Sequence, residues 1–371
     1  MVEGQGTLEN VDMTPFQNIY EGKRVLLTGH TGFKGSWLAL WLHELGAQVT
    51  GIALPPSTQP NHWDLLGLPI TDLRCDIRDG NTLAGLVQQA KPDIAFHLAA
   101  QPLVRRSYQD PIETWSTNVV GTAQFLEACR KTPSLRAIVV ITTDKCYENR
   151  EWVWGYRETD PLGGHDPYSA SKAGTELVAA SYRKSFFSAQ GAPLLATARA
   201  GNVIGGGDWS QDRLIPDLVR ATEAKAPLII RSPKATRPWQ HVLEPLAGYL
   251  RLGQKLLEGR GEFAEAWNFG PAAHDNRTVE DVLTRMGAHW PELAWELNKT
   301  PQPHEAGMLH LDSAKAQAKL GWQPAWNLDT CLAMTAEWYL RQQKTGLPPS
   351  SEQLRQYVSS ATAAHIDWAT A

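Results

Sequence analysis

The chain has 371 residues, 42% hydrophobic and 20% charged, with 35 basic against 39 acidic side chains and a formal net charge of −4. This is the composition of a soluble globular protein with room for one large or two ordinary domains. No run of Lys or Arg stands out, so no nucleic-acid or anionic-membrane surface is expected, and no stretch approaches the ~18–20 apolar residues of a membrane span.

Met1 to about Asn18 is polar and mixed, without the basic and apolar regions of a signal peptide, and is expected to be a disordered leader. Arg24–Thr28 is a short apolar run ended by Gly29 and reads as a buried strand. Phe33–Leu45 carries apolar residues at helical spacing and stops at Gly46. Gln48–Leu54 reads as a strand, Asp79–Ala90 as a helix and Asp93–Leu98 as a strand. Pro111–Arg130 reads as one long amphipathic helix, Arg136–Thr142 as an apolar strand, Pro167–Phe187 as a helix and Leu194–Ala198 as a strand. Strands alternating with helices imply right-handed crossovers and a doubly wound parallel sheet.

From Gly201 the composition changes, and Gly205-Gly206-Gly207 with Pro216, Pro227, Pro233 and Pro238 break the chain into shorter elements. The expected organisation is a leader (1–18), an α/β, Rossmann-like domain binding a dinucleotide (19–200), a smaller mixed substrate lobe with segments returning to the sheet (201–345), and a C-terminal tail (346–371). Cys75, Cys129, Cys146 and Cys331 are widely spaced, which suits reduced thiols in a cytoplasmic protein better than a metal site or a disulfide framework. The fifteen tryptophans are unusually many, and packing is the expected role of most.

Thr28-Gly29-His30-Thr31-Gly32-Phe33-Lys34-Gly35 follows a strand and opens a helix, the context in which a glycine pattern signals a dinucleotide site. Gly29 makes the tight turn, Gly32 lets a pyrophosphate approach the backbone, and Gly35 permits close packing of helix on strand. Thr31 and Phe33 are counted with the glycines on the cofactor, and Lys34 and His30, at the helix start, either lean on phosphates or are merely solvated. The carboxylate expected about 20 residues on is replaced by Ala53-Leu54-Pro55-Pro56, so this position does not choose between NAD and NADP. Asp76, beside Ile77, is placed either to hold an adenine amino group or to cap a helix.

Tyr168 and Lys172 are four apart on one predicted helix and so share a face. A cation beside the phenol lowers its pKa from about 10 towards neutrality, which makes a general base for a sugar hydroxyl. Asp144 and Lys145, after Thr143, add an acid and a base that simple alcohol oxidation does not need. Two proton-transfer pairs suggest oxidation coupled to elimination.

Six segments (Thr28–Gly35, His97–Tyr108, Thr142–Glu158, Tyr168–Lys172, Ala198–Trp209 and Arg237–Pro245) together resemble the CDP-glucose 4,6-dehydratases, a nucleotide-sugar branch of the extended short-chain dehydrogenase/reductase family. The resemblance runs from Phe16 to about Leu340. It implies an NAD-dependent lyase acting on CDP-glucose for deoxysugar synthesis in surface polysaccharide, working as a homodimer paired through the Pro111–Arg130 and Pro167–Phe187 helices. It further implies Tyr168 as base at the 4-hydroxyl, Thr143 on the 4-oxygen, Asp144 as acid for water loss, Lys145 as base at C5, and Lys172 on the nicotinamide ribose. Leu98, Ala99, Ala100 and Asn118 are implied beside the cofactor, and Gln101, Arg105, Asn202, Arg213 and Arg237 on the substrate. His304-Glu305 fits a late family segment, while Gly307-Met308 departs from it. A nucleotide-sugar 4-epimerase would share Tyr168, Lys172 and the cofactor but would not need Asp144 and Lys145; a non-catalytic dinucleotide sensor would need none of the four.

Overall fold

The computed structural model describes residues 15–230, 232–272, 275–298 and 308–370; most of the expected leader and the His304-Glu305 segment lie outside them. Six strands run in chain order: β1 Arg24–Thr28, β2 Gln48–Ala53, β3 Thr71–Arg74, β4 Ile94–His97, β5 Ala137–Ile141 and β6 Leu194–Ala200. With the strand Ala266–Phe269 they form one parallel sheet, in the spatial order Ala266–Phe269, β6, β5, β4, β1, β2, β3. Residues Val25–Thr28 of β1 and every residue of β4 and β5 are buried, which is why these strands read as continuous apolar runs rather than alternating ones. After β3 the chain crosses back over β1 to lay down β4. The loops leaving β1 and β4 therefore diverge to opposite faces, and a crevice opens at their carboxyl ends.

The helix Phe33–Glu44 is buried from Gly35 to Leu42 and packs under the sheet. Asp79 caps the helix Gly80–Ala90 by accepting from the Thr82 amide at 3.2 Å, so the capping role left open for Asp76 belongs to Asp79. The long helix expected from Pro111 is continuous but not uniform: Pro111–Trp115 and Gly121–Arg130 are α-helical, and Ser116–Val120 between them is a π turn. Such a turn inserts one extra residue and reorients the side chains around it. The helix Pro167–Ser185 starts at a proline, with Asp166 accepting from the Ser169 amide at 2.9 Å.

Beyond Gly201 the strands pair in twos: Val203–Ile204 with Gln240–His241, Thr236–Pro238 with Asn276–Thr278, and Leu228–Ile230 with Trp295–Leu297. The ends of the chain correct two expectations. Pro15–Asn18, assigned to a disordered leader, form a short turn whose Phe16 is fully buried and stacks on Trp368 with ring centres 5.0 Å apart. Where a tail was expected, Ser350–Ala363 and Asp367–Thr370 are helices that place Tyr357 and Trp368 in the core. Apolar burial outweighs the chain entropy of ordering these segments. Trp37, Trp41, Trp267, Trp290, Trp322, Trp338 and Trp368 are fully buried, so these seven are packing residues.

Glu244 clamps the C-terminal helix to this core. It is fully buried in the first turn of the helix Leu243–Leu257, and its carboxyl accepts from the amides of Ala325 (3.0 Å) and Trp326 (2.8 Å) and the hydroxyl of Tyr357 (2.7 Å). Burial pushes its pKa up to about 7 against the pull of those bonds. The folded chain thus holds this proton more tightly than the unfolded chain. The associated stability is full below the ordinary carboxylate pKa of about 4.3 and is lost as pH rises to about 7. A glutamine mimics the protonated acid and does not titrate. Between pH 5 and 8 the urea stability of the native chain should therefore fall by about 2–3 kcal/mol more than that of Glu244→Gln; equal pH slopes would contradict this account.

Candidate active site

The crevice begins at the glycine turn after β1. Gly29 has φ of +77°, and a Cβ there would lie 2.7 Å from the Ala99 amide nitrogen; a Cβ on Gly35 would lie 2.0 Å from the Gly29 carbonyl. Any side chain at either position would force the turn open. The helix Phe33–Glu44 starts at Gly32 with no side-chain cap, which leaves its first amides free to meet an anion. Around this turn runs a cleft of about 740 Å³. Gly29, Thr31, Gly32, Phe33, Lys34 and Gly35 form one wall, Asp76 and Ile77 one end, and Leu98, Ala99 and Ala100 the adjoining edge. A tight glycine turn, an uncapped helix start and small side chains beside it fit a dinucleotide.

One detail of this half differs from expectation. His30 is fully buried and turned away from the cleft, with Nε2 2.9 Å from Asp72 Oδ1 and its ring edge-on to Trp63; burial lowers its pKa. It is a packing residue, not a phosphate contact. Lys34 does face the cleft. Its pKa is pushed down to about 7, first by burial and then by Arg213, with Asp144 opposing and Lys172 adding to the fall. At the missing ribose acid, Leu54 and Pro55 form the wall, and Thr31 and Arg74 donate to the Leu54 carbonyl at 2.9 and 3.1 Å. Asp76 is gripped by Arg78 (Nη2 to Oδ2 2.6 Å), which holds its carboxyl below the usual range.

Thr143, Lys145, Tyr168 and Lys172 line the same cleft, and Asp144 lies just behind its surface. β5 delivers the first two and the helix Pro167–Ser185 the others, because the end of β5 packs against the first turn of that helix. The Asp144 carboxyl accepts from the Thr143 hydroxyl at 2.9 Å and lies against Gly201. Burial raises its pKa, against the pull of Lys145, Thr143, Arg237 and Lys34, which favours a proton-bearing acid. The Lys172 ammonium donates to the Ile141 carbonyl at 3.0 Å and is pushed down to about 8 by burial.

Tyr168 corrects the sequence reading. Its pKa is pushed up to about 12 by burial, with the Thr143 hydroxyl and the Arg213 charge pulling down and Asp144 and Asp166 pushing up. A shared helix face brings Lys172 near, but the protein's own charges leave the phenol above its ordinary value rather than near neutrality.

Of the residues expected on the substrate, Arg105, Asn202, Arg213 and Arg237 line the cleft. Arg105 pairs with Asp212 at 3.3 Å and Arg213 with Asp208 at 3.1 Å, while Arg237 donates to the Thr236 carbonyl at 2.9 Å. Gln101 also reaches the lining, but its amide is committed to the protein, bonding Leu103 on both sides and the Thr114 hydroxyl. Asn118, expected beside the cofactor, does not line the cleft. From the π turn it accepts from the Gln101 amide (2.8 Å) and donates to the Gln101 carbonyl (3.1 Å) and the Ser171 hydroxyl (2.8 Å). It is a strut between the loop after β4 and the helix Pro167–Ser185.

The family described as GDP-mannose 4,6 dehydratase matches residues 26–335. The chain belongs to this dehydratase family. Within it, the chain is 51% identical over 332 residues to the CDP-glucose 4,6-dehydratase of Salmonella typhimurium, covering 87% of this chain and 92% of that one. It is 27% identical over 338 residues to a dTDP-glucose 4,6-dehydratase of Xanthomonas campestris, covering 86% and 93%. The fold is shared with a dTDP-glucose 4,6-dehydratase of Streptomyces venezuelae solved with NAD and TYD bound (TM-score 0.72, 24% identity, 88% and 99% coverage). It is also shared with the UDP-glucose 4-epimerase of Thermotoga maritima (TM-score 0.72, 22% identity, 86% and 99% coverage). One architecture is thus shared with proteins of different chemistry, so the fold alone does not choose between them.

The sequence does not single out Glu176, Arg199 and Tyr147, which pack behind the cleft-lining Thr143, Lys145, Tyr168 and Lys172. A signal was present: Tyr168, Lys172 and Glu176 recur every fourth residue along one helix face. Among the described residues no cluster of side chains is arranged to hold a metal. From the glycine turn, Gly35→Ala should leave the circular dichroism spectrum native but weaken NAD binding at least ~100-fold by calorimetry, because the pyrophosphate-facing amides would be displaced. Retained affinity would show that the dinucleotide binds elsewhere.

Proposed function

We propose that the chain is a CDP-glucose 4,6-dehydratase using NAD as its hydride carrier. The observation that carries this reading is that Thr143, Lys145, Tyr168 and Lys172 open into the cleft of the glycine turn, with Asp144 bonded to Thr143 at its edge. The 51% identity to the Salmonella typhimurium enzyme supports the substrate. NAD lying along Gly29–Gly35 would supply the chemistry of accepting the C4 hydride and returning it to C6. Tyr168 takes the proton of the 4-hydroxyl as the phenolate, a form that the positive charges of Lys172 and of an oxidised nicotinamide would favour against burial, and Thr143 holds that oxygen. The resulting 4-keto group acidifies C5, Lys145 removes the C5 proton, and Asp144, kept protonated by burial, delivers its proton to the departing 6-hydroxyl. Arg213 and Arg237 are the cations for the diphosphate. Residues 19–200 hold the dinucleotide in this reading and 201–345 the nucleotide sugar.

A homodimer completes it. Ile112 and Trp115 of the helix Pro111–Trp115, Val120 of the π turn and Leu177 of Pro167–Ser185 are exposed, an apolar face suited to a second copy. The four free, buried cysteines suit a reducing cytoplasm, where the product would feed deoxysugar synthesis for surface polysaccharide.

With C4-deuterated CDP-glucose, the expected product has lost water and carries deuterium at C6; an intact hexose inverted at C4 would instead establish an epimerase. Tyr168→Phe should slow the first oxidation by about 10³-fold, while Lys145→Ala should leave cofactor reduction measurable and slow elimination at least ~100-fold. If Lys145→Ala eliminates at the parental rate, the base at C5 is another group. For the dimer, Ile112→Glu with Leu177→Glu should sediment as a folded monomer, and an unchanged mass would place the interface on another face.

A further inference from the structure

Behind the cleft wall lies a buried ion pair with no part in the chemistry above. Glu176, one turn beyond Lys172, pairs with Arg199 of β6 at 2.8 Å, and the two side chains are only 3% and 4% exposed. The Glu176 carboxylate also accepts from the hydroxyls of Thr142 (2.5 Å) and Thr197 (2.8 Å). Arg199 donates to the Tyr147 hydroxyl at 2.7 Å, with its guanidinium 5.0 Å from the centre of that ring, and Tyr147 in turn donates to Asn268 at 2.8 Å. Thr142 and Tyr147 stand on either side of Thr143, Asp144 and Lys145. Both ends of the loop bearing the triplet are therefore tied to one ion pair, whose carboxylate grows from the helix of Tyr168 and Lys172.

We propose that the Glu176–Arg199 pair is the positioning element of this active site, fixing the Thr143–Asp144–Lys145 triplet against Tyr168 and holding Lys172 as a cation. The inference rests on the dehydratase reading for its kinetic consequences but not for its electrostatic ones. A buried ion pair contributes little to stability compared with well-packed apolar residues, so its presence here calls for another role. Burial disfavours the Glu176 carboxylate, but Arg199 and the three hydrogen bonds outweigh that and hold it ionised. Glu176 is the leading pull keeping the Lys172 proton on against its own burial. The titratable groups facing the pair and Lys172 include Arg183 and the Cys146 thiol beside both members of the pair, Tyr147 and Glu158 on the Arg199 side, and Cys146, Lys34 and His97 on the Lys172 side.

The test uses two changes. Glu176→Gln with Arg199→Met removes both charges at similar volume, and Thr142→Val removes one hydroxyl bridge while keeping its shape. In the charge-free double variant, the ¹³Cε titration of selectively labelled Lys172 should move to lower pH by about one unit. The alkaline fall of kcat with CDP-glucose should move by the same amount. Thr142→Val should lose about tenfold in kcat with KM nearly unchanged, and Thr142→Ser should restore it. Thr142→Val with parental kcat, or an unmoved Lys172 titration in a folded double variant, overturns the proposal. Should the double variant fail to fold, the Val and Ser pair at Thr142 decides. If the native chain does not turn over CDP-glucose, the dehydratase reading fails, and the Lys172 titration still judges the electrostatic claim.

Discussion

The molecule depends on a topological constraint: the chain leaves β1 on one face of the sheet and returns to lay β4 against its other edge, so two neighbouring parallel strands send their loops apart. Nothing in the sheet can fill the gap at their carboxyl ends. The glycine turn, the Leu98–Ala100 edge, the triplet after β5 and the start of the Pro167–Ser185 helix all face that gap because parallel strands end on the same side. The later half of the chain, by its short strand pairs and cationic loops, walls in what the sheet leaves open.

A second consequence is electrostatic. The titratable groups of the cleft wall are poorly solvated, and burial drives each of them towards its uncharged form: Asp144 and Tyr168 upwards, Lys172 and Lys34 downwards. For Asp144 this favours the proton-bearing form, the one that the proposed acid requires. For Lys172 it works against the charge, and Glu176 opposes it from one turn away. Arg199 in turn keeps Glu176 ionised, so the charges are arranged in layers behind the cleft, each supporting the one in front.

Much of this was legible in the residues. The strand, glycine turn and helix around Gly29–Gly35, and the helical phase of Tyr168 and Lys172, are local patterns that short-range sterics enforce. The cap at Asp79 and the π turn around Asn118 were less legible. The first competed with a nearby Asp76, and the second interrupts a helix whose apolar periodicity continues through it. The phenol of Tyr168 was misjudged because proximity on a helix says nothing of how much water the rest of the fold removes. His30 was misplaced for a related reason: its neighbours in sequence face the cleft, but the turn rotates it under β2 against Asp72 and Trp63.

The sequence by itself determined the alternation of strands and helices, the glycine turn and the residue types of the chemistry, since these follow from periodicity, backbone sterics and side-chain functional groups within a few residues of one another. Only the tertiary structure decided that Phe16 and Trp368 share a core, that Asn118 and Gln101 spend their amides on bonds within the wall, and that Glu176 and Arg199 stand behind the triplet. Those facts depend on pairs far apart in the chain meeting in a place without water, where burial, not spacing, sets which groups carry charge.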